Sequence, residues 1–341
     1  MNTNHDAVGD EELSKIWSEK PELIRAFLDL RPQYEQLVSE VAYILKKRLT
    51  EKNVEVAAVT GRAKTMKSFA GKISRKAYKD PLKEITDFAG VRCVYLYLSD
   101  RSSIEAIIES DFEIVEKVNK LEEKKPEEFG YGALHYLVKL GKKTSGARYD
   151  DLKDLICEIQ VRTVVQDSWA IIDHHLVYKQ EGDAPSILRR KLNSLAGLFE
   201  TADSQFDQIR NEREKYREQL AKEGKTKEPV AVELNLDSLV EFLKTEFPGK
   251  KPSVQPTQIT ECLSRLKVYG YKDLDDVRKM LDNTKAARAE LRKIRVPPAS
   301  VWEVNRGIAL ENEKARLAYY TTGPLAPSFK KVEHLLKSNK R

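Results

Sequence analysis

Two short segments constrain this chain more than anything else in it: Asp87-Phe88-Ala89-Gly90-Val91-Arg92 and Glu158-Ile159-Gln160-Val161-Arg162-Thr163. Each joins a carboxylate to a β-type run and an arginine. The first predicts a loop entering a strand over Val91–Leu98, with Asp87 at its mouth. The second predicts a strand in which Glu158, Gln160 and Arg162 share one face. Ile159 and Val161 then turn to the other, because strand side chains alternate. If the two strands are neighbours, Asp87 and Glu158 converge on one cleft, and two carboxylates in one cleft suit a magnesium ion. The competing reading makes Asp87 a turn cap and Glu158 the partner of a surface lysine.

What lies around these segments tilts the balance. Between them stands Gly130-Tyr131-Gly132-Ala133-Leu134-His135, where two glycines present a tyrosine that can stack on a base. Before them, Gly61 to Lys76 carries Arg62, Lys64, Lys67, Lys72, Arg75 and Lys76 and no acidic residue. Its latter half has helical spacing, with Phe69 and Ile73 on one face and cations on the others. A charge run is usually a solvated face. A uniformly positive run in a chain rich in both signs looks instead like a polyphosphate site.

In this order, the segments resemble the synthetase domain of the RelA/SpoT alarmone synthetases. The resemblance rests on Arg62-Ala63-Lys64, Asp87 to Arg92, Gly130-Tyr131 with Leu134-His135, and Glu158 to Thr163. It continues through Asp167-Ser168-Trp169-Ala170 and His174-His175-Leu176-Val177-Tyr178-Lys179, and covers residues 20 to about 215. It implies an α+β fold: a nucleotidyltransferase-like mixed sheet flanked by helices. It also implies transfer of the β,γ-pyrophosphate of ATP to the 3′-hydroxyl of GTP or GDP, making (p)ppGpp. Under it, the six cations from Arg62 to Lys76 neutralise the ATP phosphates. Asp87 and Glu158 hold Mg2+, and Glu158 is the general base. Tyr131 stacks on the acceptor guanine and His135 contacts its phosphates. Arg92 and Arg162 either contact phosphate or pair with a neighbouring carboxylate.

The acceptor segment departs from the family pattern. Glu127 stands where a phosphate-binding lysine is expected, Phe129 replaces an asparagine and Ala133 replaces a serine. Lys124 and Lys125 lie nearby. An altered acceptor segment suits a different acceptor, and a branch of this family consists of toxins that pyrophosphorylate the 3′ end of tRNA. A third reading is a weakly catalytic nucleotide or RNA sensor, against which the presence of both Asp87 and Glu158 argues. Residues 141 to 151 are a polar insert, read as an extended hairpin loop.

The rest of the chain sets the frame. No run of about 18 apolar residues predicts a membrane span, and the N-terminus lacks a signal peptide's basic and apolar regions. Cys93, Cys157 and Cys262 are scattered and read as buried core thiols, which fits a reducing cytoplasm. The net charge of +6 suits a nucleotide or RNA partner. A homo-oligomer stays open. Expected strands are Val54–Val59, Val91–Leu98, Phe112–Val118, Ala133–Leu140 and Leu155–Thr163. Helices are expected before the first strand and over Ser102–Ser110, Val165–Tyr178 and Ile187–Arg217. The lysine- and glutamate-rich Lys222 to Glu228 predicts a domain boundary, leaving a synthetase domain over 1–221 and an all-α C-terminal module over 229–341. That module is expected to hold helices at Leu236–Phe247, Thr257–Leu266, Leu274–Ile294 and Pro298–Tyr320, and to regulate the synthetase or bind a partner. Trp169 is expected to be a core anchor. His5-Asp6 and Asp173-His174-His175 are not read as the metal site of an alarmone hydrolase, because about fifty residues before the first strand cannot hold such a domain. No hydrolase activity is expected.

Overall fold

A computed structural model describes residues 13–119, 132–176, 186–223, 232–320 and 326–335. The chain divides into two compact units, Met1–Arg210 and Asn211–Arg341. No helix among the described residues is long and apolar enough to cross a membrane.

The first unit is built on five strands: β1 (Val56–Ala63), β2 (Ala89–Tyr95), β3 (Phe112–Asn119), β4 (Leu134–Leu140) and β5 (Cys157–Thr163). They form one mixed sheet in the order β1-β2-β5-β4-β3, with β2 and β5 parallel and the other pairs antiparallel. Helix α1 (Pro21–Glu51) brings Leu37, Val41, Leu45 and Leu49 onto one stripe, as helical spacing requires. That stripe packs in one core with Val91, Cys93, Ile159 and Val161 from the central strands. Helix α3 (Arg101–Asp111) adds Ile104, Ile107 and Ile108 to the same core. The alternation in β5 is regular: Cys157, Ile159, Val161 and Thr163 are buried, and Glu158, Gln160 and Arg162 are half-buried on the opposite face.

A second cluster positions the basic helix. Helix α2 (Met66–Arg75) buries Phe69 against Phe27 of α1, rings stacked 4.4 Å apart and 9° from parallel. Phe88 closes the cluster at 5.7 Å from Phe69 and 5.8 Å from Phe27. Because Phe88 follows Asp87 directly, this aromatic contact fixes α2 beside that carboxylate. Gly61 is required for the same assembly: a Cβ there would stand 2.5 Å from Cγ1 of Val38, on the α1 face that covers β1.

Two expectations in this unit are corrected. β1 does not end at Val59; it continues to Ala63, because Gly61, Arg62 and Ala63 pair with Val91, Gly90 and Ala89. Arg62 is therefore a strand residue. The insert after β4 does join the antiparallel pair β4–β5, but it is tied down. Arg148 Nε donates to Glu40 at 2.8 Å, and Gln36 donates to the Arg148 carbonyl at 3.1 Å. Helix α4 (Val164–Leu176) follows β5, and α5 (Ser186–Glu223) follows α4.

The second unit is helical: α6 (Leu236–Glu246), α7 (Thr257–Val268), α8 (Leu274–Asn283), α9 (Lys285–Ile294), α10 (Val301–Glu311), α11 (Glu313–Tyr319) and α12 (Ala326–Val332). Leu239, Leu243, Cys262, Leu266, Val277, Leu281, Val304 and Ile308 share its core. Each of the two longest expected helices is in fact a pair. The first breaks at Thr284, whose hydroxyl donates back to the Met280 carbonyl at 2.8 Å. The second breaks at Asn312, whose side chain caps α11 by accepting from the Ala315 N–H at 3.2 Å. Apolar periodicity runs through both breaks, so it does not reveal them. The units divide between Arg210 and Asn211 and not at the expected Lys222 to Glu228. The last turns of α5 belong to the second unit, within which Arg213 and Arg217 bind Asp237 and Asn235 donates to the Tyr216 hydroxyl.

Candidate active site

The face of the sheet turned away from α1 carries the polar side chains of the central strands. Register places Arg62, Gly90 and Glu158 in one row across β1, β2 and β5. Thr60, Arg92 and Gln160 form the next row. Gly90 leaves space between Arg62 and Glu158: a Cβ built there meets nothing nearer than the Arg62 carbonyl at 3.9 Å. The result is a cavity of about 780 Å³ whose walls include Arg62, Lys64, Asp87, Arg92, Glu158 and Arg162. Thr65 and Ser68 line it at the start of α2, and Trp169, Ala170, Ile171 and Asp173 line it from α4.

The two carboxylates are held differently. Asp87 accepts from Lys64 Nζ at 2.7 Å on one oxygen and from Lys72 Nζ at 2.9 Å on the other. Burial pushes its carboxyl up, but the two ammonium groups outweigh that and hold it below the usual range. Burial in turn lowers the pKa of Lys64, partly offset by Asp87. Glu158 meets His135 Nδ1 at 2.6 Å through Oε1 and accepts from Gln160 Nε2 at 3.0 Å through Oε2. Burial raises its pKa, and His135 and Gln160 bring it below the usual value against a smaller opposing effect of Asp87. Both carboxylates are therefore ionised at neutral pH, and Glu158 feels the charge of Asp87.

The arginines are less fully satisfied. Arg92 Nη1 lies 3.0 Å and Arg162 Nη1 3.8 Å from the same Asp167 oxygen. Neither contact has hydrogen-bond geometry, since that oxygen and Arg162 Nε are both buried without a hydrogen-bond partner. Burial and then the neighbouring Arg92 lower the pKa of Arg162. Two guanidinium groups share one carboxylate and line the cavity, so positive charge is in excess there, and phosphate is the anion that arginine geometry matches.

Asp87 and Glu158 are the carboxylates that could hold a metal. Among the described residues no group of three or more His, Cys, Asp or Glu side chains is arranged as a metal cage. A two-carboxylate set nevertheless fits magnesium, which takes its remaining ligands from phosphate and water. The ion would displace a lysine from Asp87. Lys72 is the more exposed of the two, at 36% against 11% for Lys64.

Of the six cations expected around phosphate, the structure brings Arg62 and Lys64 to the cavity wall, and Lys72 to it through Asp87. It does not bring Lys67, Arg75 or Lys76 to the wall. Arg75 Nε bonds back to the Gly71 carbonyl at 2.9 Å, and Lys76 lies 5.5 Å over the Tyr78 ring. His135, expected on the acceptor phosphates, is engaged with Glu158. Tyr131, Glu127 and Phe129 lie outside the described residues. Trp169 packs edge-on against Phe199 with centroids 5.7 Å apart, and also lines the cavity, so it is more than a core anchor. The shared role of Asp167 and the openness at Gly90 were missed in the sequence. Only the strand register, which puts Gly90 between Arg62 and Glu158, could have signalled the second.

Residues 61–183 match the family model described as a region found in RelA / SpoT proteins. The chain is similar to GTP pyrophosphokinase YjbM of Bacillus subtilis (strain 168), with 30% identity over 189 residues, covering 52% of this chain and 86% of that protein. It is also similar to GTP pyrophosphokinase YwaC of the same organism, with 29% identity over 157 residues, 44% of this chain and 72% of that protein. Among solved structures, the small alarmone synthetase 1 of Bacillus subtilis bound to its product pppGpp is 26% identical, covering 55% of this chain and 98% of that one, with a TM-score of 0.48.

Proposed function

The chain belongs to the RelA/SpoT family, and we propose that it is a GTP pyrophosphokinase that moves the β,γ-pyrophosphate of ATP onto the 3′-hydroxyl of GTP or GDP. The observation that carries this reading is the pairing of two ionised carboxylates with under-satisfied arginines in one cavity. Carboxylates alone would repel nucleotides. Cations alone would bind them without a base.

The roles follow from position. Arg62, Lys64, Arg92 and Arg162 line the cavity and bind the ATP phosphates. Asp87 and Glu158 would hold a magnesium ion, which would supply positive charge against the charge developing on the phosphates. Glu158, ionised and fixed by His135 and Gln160, takes the proton of the acceptor 3′-hydroxyl. The freed oxygen attacks the β-phosphorus. The bond from the β-phosphorus to the α-bridging oxygen breaks, and AMP leaves with that oxygen and its electron pair. Trp169 and Ile171 bound the site from α4 and limit water, which would otherwise compete as acceptor.

A second reading, transfer to the 3′ end of tRNA, is favoured by the acidic Glu127 and the apolar Phe129 of the acceptor segment. One experiment addresses both. The protein is incubated with γ-labelled ATP and Mg2+ plus GDP, GTP or tRNA, and the products are separated. Label in guanosine tetra- or pentaphosphate is the expected result. Label on tRNA alone replaces the acceptor, and no transfer to any acceptor overturns the chemistry.

A further inference from the structure

Helix α4 forms one wall of the cavity, and its start is fixed by a joint that takes no direct part in the chemistry. Thr163, the last residue of β5, and Gln166 cap each other. The Gln166 N–H donates to the Thr163 hydroxyl at 3.0 Å, and the Thr163 N–H donates to Gln166 Oε1 at 2.9 Å. This is the reciprocal cap that a Thr-x-x-Gln sequence makes at a helix start, and it satisfies two donors that burial would otherwise leave unpaired. The Thr163 hydroxyl makes one contact more, donating to Asp203 Oδ2 at 2.6 Å. All three side chains are buried.

A hydroxyl has one hydrogen and two lone pairs. With its hydrogen given to Asp203, Thr163 keeps its lone pairs for the Gln166 N–H. Asp203 therefore sets the rotor on which the cap of α4 depends.

This joint stands at the root of the cavity wall. One turn on from it, Asp167 faces Arg92 and Arg162, and Trp169, Ala170, Ile171 and Asp173 line the cavity beyond. Helix α5 meets α4 at a second point, where Phe199 lies edge-on to the Trp169 ring. Phe199 and Asp203 are four residues apart and so share one face of α5. The apolar contact, which includes Leu192 and Ala196, is non-directional. The Thr163–Asp203 hydrogen bond supplies the direction. Further along the same face, Asp207 accepts from the N–H and the hydroxyl of Ser99 at 2.9 and 2.6 Å, a contact that involves no residue of α4.

We propose that Asp203 is a positioning residue for pyrophosphate transfer: through Thr163 it sets the α4 wall, and the wall keeps water from taking the pyrophosphate in place of the acceptor hydroxyl. The inference rests on the proposed reaction. When water enters, its oxygen attacks the β-phosphorus and one of its protons passes to Glu158. The bond to the α-bridging oxygen breaks, AMP leaves with that oxygen and its electron pair, and the pyrophosphate is freed. The ratio of free to transferred pyrophosphate therefore measures how well the wall excludes water.

The full chain is incubated with γ-labelled ATP, Mg2+ and saturating GDP, or saturating tRNA should that be the acceptor. Label in free pyrophosphate is counted against label in the acceptor. Asp203→Ala should raise this ratio roughly fivefold, the size of effect that one lost buried hydrogen bond gives. Asp203→Asn, whose amide oxygen still accepts from Thr163, should restore the unmodified ratio. Thr163→Val removes the same bond and keeps the β-branched shape, and it serves where Asp203→Ala does not fold. It should raise the ratio by itself, and Asp203→Ala should add nothing to it, because residues acting through one bond are not additive. Asp207→Ala loosens α5 without touching the joint. It should lower the melting temperature and leave the ratio unchanged, since unfolded protein makes neither product. If the unmodified protein turns over no ATP, the proposed function falls and this inference with it. If the unmodified protein transfers pyrophosphate but the ratio stays the same in Asp203→Ala and Thr163→Val, or rises as much in Asp207→Ala, the inference alone is overturned.

Discussion

His135 holds Glu158: its Nδ1 lies 2.6 Å from the carboxylate oxygen Oε1. The contact crosses the sheet diagonally, because the residue directly opposite His135 on β5 is Gln160. Gln160 in turn donates to the other oxygen of Glu158. The ionised carboxylate requires the His135 Nδ1 to be the donor, so the ring's Nε2 is the nitrogen turned elsewhere. One side chain of β4 and one of β5 thus fix both oxygens of the proposed base.

Removing that base is the most direct check. Glu158→Gln keeps the shape of the side chain and removes its charge. Pyrophosphate transfer should fall by about 10²–10⁴ from loss of the general base alone, while equilibrium binding of a non-hydrolysable ATP analogue changes little. His135→Ala should lower kcat several-fold with a smaller effect on the KM for ATP, because it loosens Glu158 without touching the donor side. Near-normal turnover by Glu158→Gln would remove the mechanism.

The cations divide into those that reach the cavity and those that do not. Lys64 lines it, whereas Lys76 lies over the ring of Tyr78. A hydrogen bond to a charged group is worth about 1.5–3 kcal/mol. Lys64→Ala should therefore raise the KM for ATP by roughly ten- to a hundredfold, and Lys76→Ala should leave it unchanged. Steady-state kinetics at saturating acceptor separates the two. Equal effects would mean that the whole Arg62 to Lys76 segment acts as a diffuse field and not through particular contacts.

Much of this could be read from the residues, and the failures have physical causes. Alternation in Cys157–Thr163 placed Glu158, Gln160 and Arg162 on one face because a strand has only two faces. The strand-to-strand neighbourhood of Asp87 and Glu158 followed once β2 and β5 paired. Partners across strands were a different matter. Whether His135 meets Glu158 or a phosphate depends on the β4–β5 register, which no local pattern encodes. Arg75 looked like a phosphate ligand because composition does not reveal that its Nε returns to its own helix. In the second unit, Thr284 and Asn312 break helices that an apolar stripe runs straight through.

Gly90 offers a test of the cavity that leaves the fold in place. It is a strand residue between Arg62 and Glu158, and a Cβ there would touch nothing closer than 3.9 Å. A β-branched side chain is at home in a strand and restricts the unfolded chain more than glycine does. Gly90→Val should therefore keep or raise the melting temperature. The same side chain would stand in the space between the cations of β1 and the proposed base on β5, so kcat/KM should fall at least about tenfold, a loss of about 1.4 kcal/mol or more in transition-state stabilisation. Undiminished transfer by a well-folded Gly90→Val protein would show that the reaction takes place elsewhere.

Asp203 makes the first unit sensitive to pH. It is buried on α5 and accepts from the Thr163 hydroxyl at 2.6 Å, at the end of the strand that carries Glu158. Burial pushes its pKa up to about 7 from 3.8. The sign is the reverse of a salt-bridged carboxylate. Between about pH 4 and about pH 7 the folded chain holds a proton that the unfolded chain has lost, so raising the pH through this window removes stability. The slope approaches about 1.4 kcal/mol per pH unit in the middle of the window and vanishes above it. Asp203→Asn keeps an acceptor for Thr163 and carries no charge. Thermal melts between pH 4.5 and pH 8 should show the unmodified protein losing stability as pH rises, and the variant losing less, so that it is the more stable of the two at pH 8. Parallel melting curves for the two proteins across that range would mean that Asp203 is solvated and ionised in the folded state.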